Sequence, residues 1–408
     1  MYSTANKNGG KTFHFKKLAL IYTLLFALLL PSFGFAAVRD DDELDGDLWT
    51  EFGIQAEIMP DVTMIAGALV TDDGRILWSR NLDEPRSIGS IVKVMTGILA
   101  VENLDMNEEI TLPAMPISYV ESRAHLREGD VLTGRQLLQA LMLPSGNDAA
   151  IAVAVAVAGD LPSFVDMMNV RAEELGMTNT QFRNASGMDH GGQFSTARDV
   201  ATMSRFAMSL PEFRAAVGLE EVELQIERAT IELVNTNILL QSYDGATGIK
   251  TGRTIGAGFS HVMSAERGGL ELYAVILGTN QHLTRFFEAR YLLDFGFTHF
   301  REQNLALENT VVGRAHVSNF PDRTVQVAMG EDVTLHVLDL AGPIEQSVEI
   351  ADGRSPIRRG DEMGQVNFVQ RGRLIARVPL VATQDVDNPF FLVQWYYNAV
   401  IAWRNRFN

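Results

Sequence analysis

Hydrophobic positions along this chain change their period several times, and the changes divide it. An apolar run of 13 residues, Leu18–Leu30, follows a segment carrying Lys7, Lys11, Lys16 and Lys17 and ends at Pro31 and small residues around Gly34 and Ala36. A basic start, a short apolar stretch and a small-residue exit are the layout of a secretory signal peptide, residues 1–36; the run is short for a spanning helix, with an uncleaved anchor as the other reading. Residues 37–61, with RDDDELDGD, read as an exposed acidic leader. In MIAGALVTDDGRILWSRN two apolar runs flank DDGR, which predicts a β-hairpin turning at Gly74. From Ser90 the period becomes helical, with Val94, Ile98 and Val101 on one face, and TGRQLLQALMLPSGNDAAIAVAVAVAG predicts two helices broken at PSGND. The alternating AVAVAVA is read as a packed helix of small residues, from its length and position.

The helical block runs to about Gly218, and strands then return. GIKTG precedes GAGFSHVMSAERGGLELYAVILG, an antiparallel hairpin turning at Arg267–Gly269, and TRFFEARYLLDFGF predicts a helix after it. A sheet whose strands come from both ends of a segment, with a helical insert between them, makes one core, so residues 62–300 are expected to form a single α/β (α+β) domain. Residues 301–385, with TVQVAMG, DVTLHVLD and LIARVPLVA between Gly and Asp turns, predict a small all-β module. The tail, 386–408, differs again: on a helix at about 100° per residue, Asp387, Gln394, Asn398 and Asn405 form a narrow polar stripe. Phe390, Leu392, Trp395, Tyr396, Val400 and Trp403 cover the remainder. Too short and interrupted to span a bilayer, this amphipathic helix fits the plane of a membrane interface, or a docking place on the β module.

Composition narrows the chemistry. The 408 residues are 46% hydrophobic, enough for one large packed domain and a smaller one. There is no cysteine, so thiol catalysis and zinc–thiolate sites are excluded. The formal charge is −17, and −21 without the four lysines of residues 1–36; a surface so acidic argues against nucleic acid and against a polybasic hold on anionic lipid. His125, His190 and His261 show no metal-ligand spacing, and surface or loop positions are expected for them. No metal or cofactor is called for.

The lysines are the anomaly. After residue 36 the chain holds 28 arginines and only two lysines, Lys93 and Lys250. Arginine supplies charge but does not act as a base, whereas a buried lysine can lose its proton near neutrality. Ser90 and Lys93 stand at i and i+3, on one face of a helix, where a neutral amine could take the proton of a serine nucleophile. A helix beginning at Ser90 would also present its backbone N–H to an oxyanion. Ser145 and Asn147, in the break between two helices, offer a second hydroxyl for proton relay and an amide to hold lysine and substrate. Lys250, Thr251 and Gly252, on a strand, offer a cation and a hydroxyl for a carboxylate, with a glycine that admits close approach. Singly, the three also read as a helix N-cap, an interhelical turn and an ordinary strand; together and in order they form the penicillin-recognising set.

With these motifs in place, the chain resembles the D-alanyl-D-alanine carboxypeptidases, low-molecular-mass penicillin-binding proteins of serine peptidase family S11, from the hairpin near Ala66 to the last residue. SIGSIVKVMTG, LREGDVLTGRQLLQALMLPSGNDAA, FRNASGMDHGGQFSTARDVA, DGATGIKTGRTIGAGF and RYLLDFGF resemble successive family blocks; SPIRRGDEMG and ARVPLVA resemble its C-terminal β domain. The resemblance implies a DD-peptidase/β-lactamase-like fold: an antiparallel sheet with helices on both faces and a helical insert, then the β domain and a membrane-anchoring helix. It implies Ser90 as acylated nucleophile, Lys93 as general base, and Ser145 and Asn147 as proton shuttle and substrate orienter. Lys250, Thr251 and Arg285 would bind the terminal carboxylate, beside Gly252, and the backbone amides of Ser90 and Arg253 would form the oxyanion hole. Substrates would be peptidoglycan stem peptides, β-lactams covalent inhibitors, and the location the periplasmic face of the inner membrane. Gly89 stands where the family usually has Ala, and Phe194 where a polar residue often precedes STA, which bears on fine specificity. A D,D-endopeptidase and a β-lactamase share the set. A class A lactamase needs a glutamate for deacylation, and FRNASGMDH offers no acid before Asp189. A non-catalytic cell-wall scaffold would have no use for an intact Ser90 and Lys93.

Overall fold

A computed structural model of the chain describes residues 60–114 and 122–407. The expected signal peptide, and all but the last two residues of the acidic leader, lie outside the described residues. The hairpin around DDGR is β1 (Ala66–Thr71) and β2 (Ile76–Arg80), with Gly74 at φ +96° in the turn. A 3₁₀ turn, Gly89–Val92, then runs into α1 (Lys93–Asn103). A short ribbon, β3 (Glu109–Thr111) with β4 (Val131–Thr133), leads to α2 (Gly134–Met142), α3 (Asn147–Ala158), α4 (Leu161–Glu174), α5 (Ala197–Ser209) and α6 (Pro211–Val217). Local chemistry starts these helices where it does. The Thr133 hydroxyl accepts the Gln136 N–H while the Gln136 side chain accepts that of Thr133, a reciprocal cap on α2. Asp160 caps α4, which has a proline in its first turn.

A hairpin, β5 (Glu221–Ile226) and β6 (Ala229–Val234), follows the helical block. It is absent from the expectations above, although the alternation of Val222, Leu224 and Ile226 with Ile231 and Leu233 is its sequence signal. Next come β7 (Ala246–Thr254), β8 (Gly258–Arg267), β9 (Leu270–Thr279) and α7 (Thr284–His299). The main sheet has the antiparallel order β2-β1-β9-β8-β7, so strands from both ends of the domain do meet in it. Along β9, Val275 and Leu277 join the core of the helical block, whereas Leu272, Ala274 and Ile276 join Phe286, Leu292 and Leu293 of α7. Covered on both faces, β9 is buried throughout, and its stretch Leu272–Gly278 accordingly reads as a continuous apolar run. Each fully buried Val, Leu, Ile or Phe among them contributes about 1.5–3 kcal/mol relative to exposure.

The β-rich part comprises β10 (Phe300–Ala306), β11 (Val311–Val317), β12 (Phe320–Met329), β13 (Val333–Leu338), β14 (Ile344–Ile350), β15 (Glu362–Gln370) and β16 (Arg373–Ala382). Five strands form an antiparallel sheet in the order β11-β12-β16-β15-β14, while β10 pairs with β13. Its core holds Val325, Val327, Val366, Phe368, Val378 and Leu380. The Arg75 guanidinium joins this part to the main domain, donating to the His336 carbonyl at 3.0 Å and lying 4.6 Å from the Phe300 ring centre.

The tail helix, α8 (Phe391–Phe407), starts later than the polar stripe predicted. Asp387 precedes it and pairs with Arg358 at 2.6 Å, and the helix begins only beyond Pro389, which disfavours helical backbone at Asn388. Tyr397 rests against Phe320 and donates to Asp322 at 2.9 Å, while Phe390, Phe391, Leu392, Trp395, Tyr396 and Trp403 are exposed. No single helix among the described residues is long and apolar enough to cross a membrane.

Candidate active site

Lys93 opens α1 and is wholly buried, one turn after the half-buried Ser90. Its Nζ lies 3.1 Å from Ser90 Oγ and donates to Asn147 Oδ1 and to the Ser186 carbonyl, each at 2.6 Å. Burial lowers the amine from 10.5 to about 7, against a smaller upward pull from Asp148. Asp148 is itself buried and satisfied by the backbone N–H groups of Ala124 and Leu126 at 2.9 and 3.0 Å. A neutral lysine with a lone pair is therefore well populated near neutral pH, in contact with a hydroxyl.

The break between α2 and α3 supplies the second group. Ser145 is buried at φ +63°, and its Oγ has no hydrogen-bond partner among the described residues. Asn147, the first residue of α3, bridges from this break to Lys93. On β7, Lys250 is buried and donates to the Thr251 carbonyl at 3.0 Å; burial, then the charges of Lys93 and Arg285, push its amine well below the ordinary lysine value. Thr251 Oγ1 lies 2.6 Å from Thr236 Oγ1. From the start of α7, Arg285 donates to the Gly252 carbonyl at 2.9 Å; burial and the neighbouring Arg253 lower it to about 10.

Ser90, Ser145, Thr251, Gly252, Arg253 and Arg285 border one cleft of about 330 Å³. Lys93, Asn147 and Lys250 sit buried around it, so the residues singled out in the sequence converge. Ser122, Thr236, Ile238 and His282 also border it and carry no motif of their own. Gly252 has a tighter reason than substrate approach. A Cβ there would stand 2.8 Å from the Ile88 carbonyl oxygen and 3.3 Å from Ile91, so the glycine lets β7 lie against the turn that carries Ser90.

The loop 183–190 holds the other side. Gly187, at φ +84°, lies so close to the turn that a Cβ would meet the Gly89 carbonyl. The Asn184 side chain accepts from the N–H groups of Ser186 and Gly187, and Thr96 on α1 donates to the Ala185 carbonyl at 2.7 Å. Asp189 accepts from Ser87, Thr254 and the Gly256 N–H at 3.1, 2.7 and 2.9 Å. Burial raises its carboxyl, but these bonds together hold it below the ordinary value, and they tie the loop to the segment before Ser90 and to the end of β7. The Ser186 carbonyl was beyond sequence reasoning, since any residue carries one.

One expectation fails. His261 is neither on the surface nor in a loop: it is fully buried on β8, its ring 5.0 Å from that of Phe286, and burial drives it to about pH 3, hence neutral. Strand alternation places it on the face that α7 covers. Among the described residues no group of three or more His, Asp or Glu could hold a metal ion.

The profile of the D-alanyl-D-alanine carboxypeptidase family matches residues 57–281, and that of the penicillin-binding protein 5 C-terminal domain matches residues 300–388. The chain is 28% identical to the D-alanyl-D-alanine carboxypeptidase DacF of Bacillus subtilis, over 91% of this chain and 96% of that protein. It is 31% identical to DacC of Escherichia coli, over 78% and 82%. Among solved structures, the D-alanyl-D-alanine carboxypeptidase DacD from Francisella tularensis superposes with a TM-score of 0.62 at 25% identity, covering 81% of this chain and 96% of that one. The Streptomyces K15 DD-transpeptidase does so with 0.56 at 33% identity, covering 59% and 98%. A profile that spans more than half of the residues, on a sheet, cleft and β-rich domain of this arrangement, establishes that the chain belongs to the D-alanyl-D-alanine carboxypeptidase family.

Proposed function

We propose that the protein is a serine carboxypeptidase that removes the terminal D-Ala from peptidoglycan pentapeptide stems through an acyl-enzyme on Ser90. The observation that carries this reading is the buried Lys93 amine, with a pKa of about 7, placed 3.1 Å from Ser90 Oγ. Neutral Lys93 takes the hydroxyl proton as Ser90 Oγ attacks the penultimate D-Ala carbonyl, and the N–H groups of Ser90 and Arg253 receive the oxyanion. The unpartnered Ser145 hydroxyl on the cleft wall passes a proton to the departing D-Ala amine and is restored by the proton that Lys93 took from Ser90, so the lysine is neutral again, and Asn147 keeps it in line. Lys250, Thr251 and Arg285 take the terminal carboxylate. Water then cleaves the ester. A β-lactam amide is attacked by the same serine and leaves a covalent acyl group.

The rest of the chain fits this task as an exported protein. Residues 1–36 direct export, residues 62–300 carry catalysis, and residues 386–408 hold the enzyme to the periplasmic face of the inner membrane beside its polymer. The exposed Trp395, Tyr396 and Trp403 support that last assignment.

A free terminal carboxylate is the discriminating requirement. Amidating the terminal D-Ala should lower kcat/KM by roughly two to three orders of magnitude, as for a desolvated charge left without its partner. Thr251→Val or Arg285→Ala should weaken turnover of the acid and leave the amide nearly as before. Mass spectrometry of the products reads both, with loss of penicillin labelling in Ser90→Ala as the control for acylation. Equal turnover of acid and amide overturns the reading in favour of a D,D-endopeptidase.

A further inference from the structure

A second cavity, of about 460 Å³, lies on the opposite side of the loop that holds Lys93. Ile151 of α3 and Leu161 and Val165 of α4 give it an aliphatic wall, and Asp166, Arg183 and His190 bring polar ends to its rim. Asn184, Ala185 and Ser186 form the partition. Their other side faces the catalytic lysine: the Ala185 carbonyl accepts from Thr96 on α1, and the Ser186 carbonyl accepts from Lys93. The cavity wall is thus two hydrogen bonds, of 2.6 and 3.1 Å, from Ser90 Oγ. None of the catalytic steps above uses this space, and its volume is that of a small-molecule site.

We propose that this cavity is a glycan subsite, taking an N-acetylated amino sugar of the peptidoglycan strand that bears the stem peptide. The proposal rests on the carboxypeptidase reading for the identity of its polymer. Four residues separate the scissile carbonyl from the sugar in a pentapeptide stem, and at about 3.3–3.6 Å each they reach roughly 13–14 Å, enough to pass around a three-residue partition. The mixed lining suits that ligand. An acetamido methyl and the apolar face of a pyranose ring lie against Ile151, Leu161 and Val165, while Asp166 accepts from sugar hydroxyls and Arg183 and His190 donate to hydroxyl and acetamido oxygens. The direction agrees with the cleft. Arg285 and Thr251 mark the carboxylate end, and the loop with Asp189 lies toward the far end of β7, where the Thr254 hydroxyl meets it.

The test compares kcat/KM for the free pentapeptide and for the same peptide on an N-acetylglucosaminyl-N-acetylmuramyl disaccharide, using the full chain. The glycan-bearing substrate should be preferred by about ten- to a hundredfold, the worth of one or two hydrogen bonds with some apolar burial. Val165→Trp, which fills the cavity, and Arg183→Ala, an exposed change that cannot disturb the core, should each bring the ratio toward one. The ratio is the readout, so a general loss of activity does not imitate the effect. No preference in the unaltered enzyme, or a preference that survives both substitutions, overturns the subsite. If neither substrate is turned over, the carboxypeptidase reading fails on its own. Calorimetric binding of the free disaccharide to Ser90→Ala then decides the subsite: binding abolished by Val165→Trp supports it, and no binding, or binding indifferent to that change, refutes it.

Discussion

Asn147→Asp tests whether Lys93 works as a base because burial keeps it neutral. At a pKa of about 7 half of the amines are neutral at pH 7, whereas at the ordinary value of about 10.4 only roughly one in two to three thousand would be. Asn147 Oδ1 accepts from Nζ at 2.6 Å, so the substitution places a carboxylate against the amine with little change of shape. Two unit charges about 4 Å apart at an effective dielectric of about 20 attract by about 4 kcal/mol, close to three pKa units. The amine should then titrate near 10, and acylation at pH 7 should fall by two to three orders of magnitude. The sign is definite: the deprotonated amine is the active form, so the rate rises with pH. In the unaltered enzyme fluorescent-penicillin acylation should climb through an inflection near pH 7. In Asn147→Asp it should stay low there and recover toward the same plateau above about pH 10. Asn147→Ala, which removes the bond without adding charge, should slow acylation without that alkaline rescue. An inflection still near 7 in Asn147→Asp, or a rate that falls as pH rises through 7 in the unaltered enzyme, would refute the general-base argument.

Gly252→Ala should drive a Cβ toward the Ile88 carbonyl, with a gap of 2.8 Å that backbone cannot easily widen. A cost of about 1–3 kcal/mol is expected, with penicillin acylation down at least about tenfold because the Ser90 turn shifts; an unchanged melting temperature and labelling rate would show the contact to be harmless. A chain ended before Asp387 should leave the membrane pellet and keep its penicillin labelling, since α8 rests on the β-rich part through Tyr397 and leaves Trp395 and Trp403 exposed. Membrane fractionation that survives the truncation would place the hold elsewhere.

Much of this was legible without coordinates because it depends on short-range pattern. The turn at Gly74, the helix break at Ser145–Asn147 and the hairpin at Arg267–Gly269 are set by local backbone preferences and by the period of apolar residues. The spacing of Ser90 and Lys93 needed only helical geometry. Restricting lysine to two places after residue 36 was a chemical signal, because at Lys93 an arginine would keep the charge but not act as a base. The overlooked β5–β6 hairpin was equally local and visible in its alternation.

Other features came from parts of the chain that do not know of each other until they pack. Nothing near Lys93 in sequence specifies that the Ser186 carbonyl, 93 positions away, accepts a hydrogen bond from it, or that Asp189 ties the loop to Thr254. The burial of His261 followed from α7 covering β8, a decision of the sheet's other face. The pairing of Asp387 with Arg358, 29 positions away, likewise joins two distant segments. By itself, then, the sequence determined the elements, their order and the reactive groups, since these follow from local sterics and side-chain chemistry. Only the tertiary structure decided how far the Lys93 pKa falls, what Gly252 makes room for and where a second cavity opens, because desolvation, close packing and empty space belong to surfaces brought together by folding.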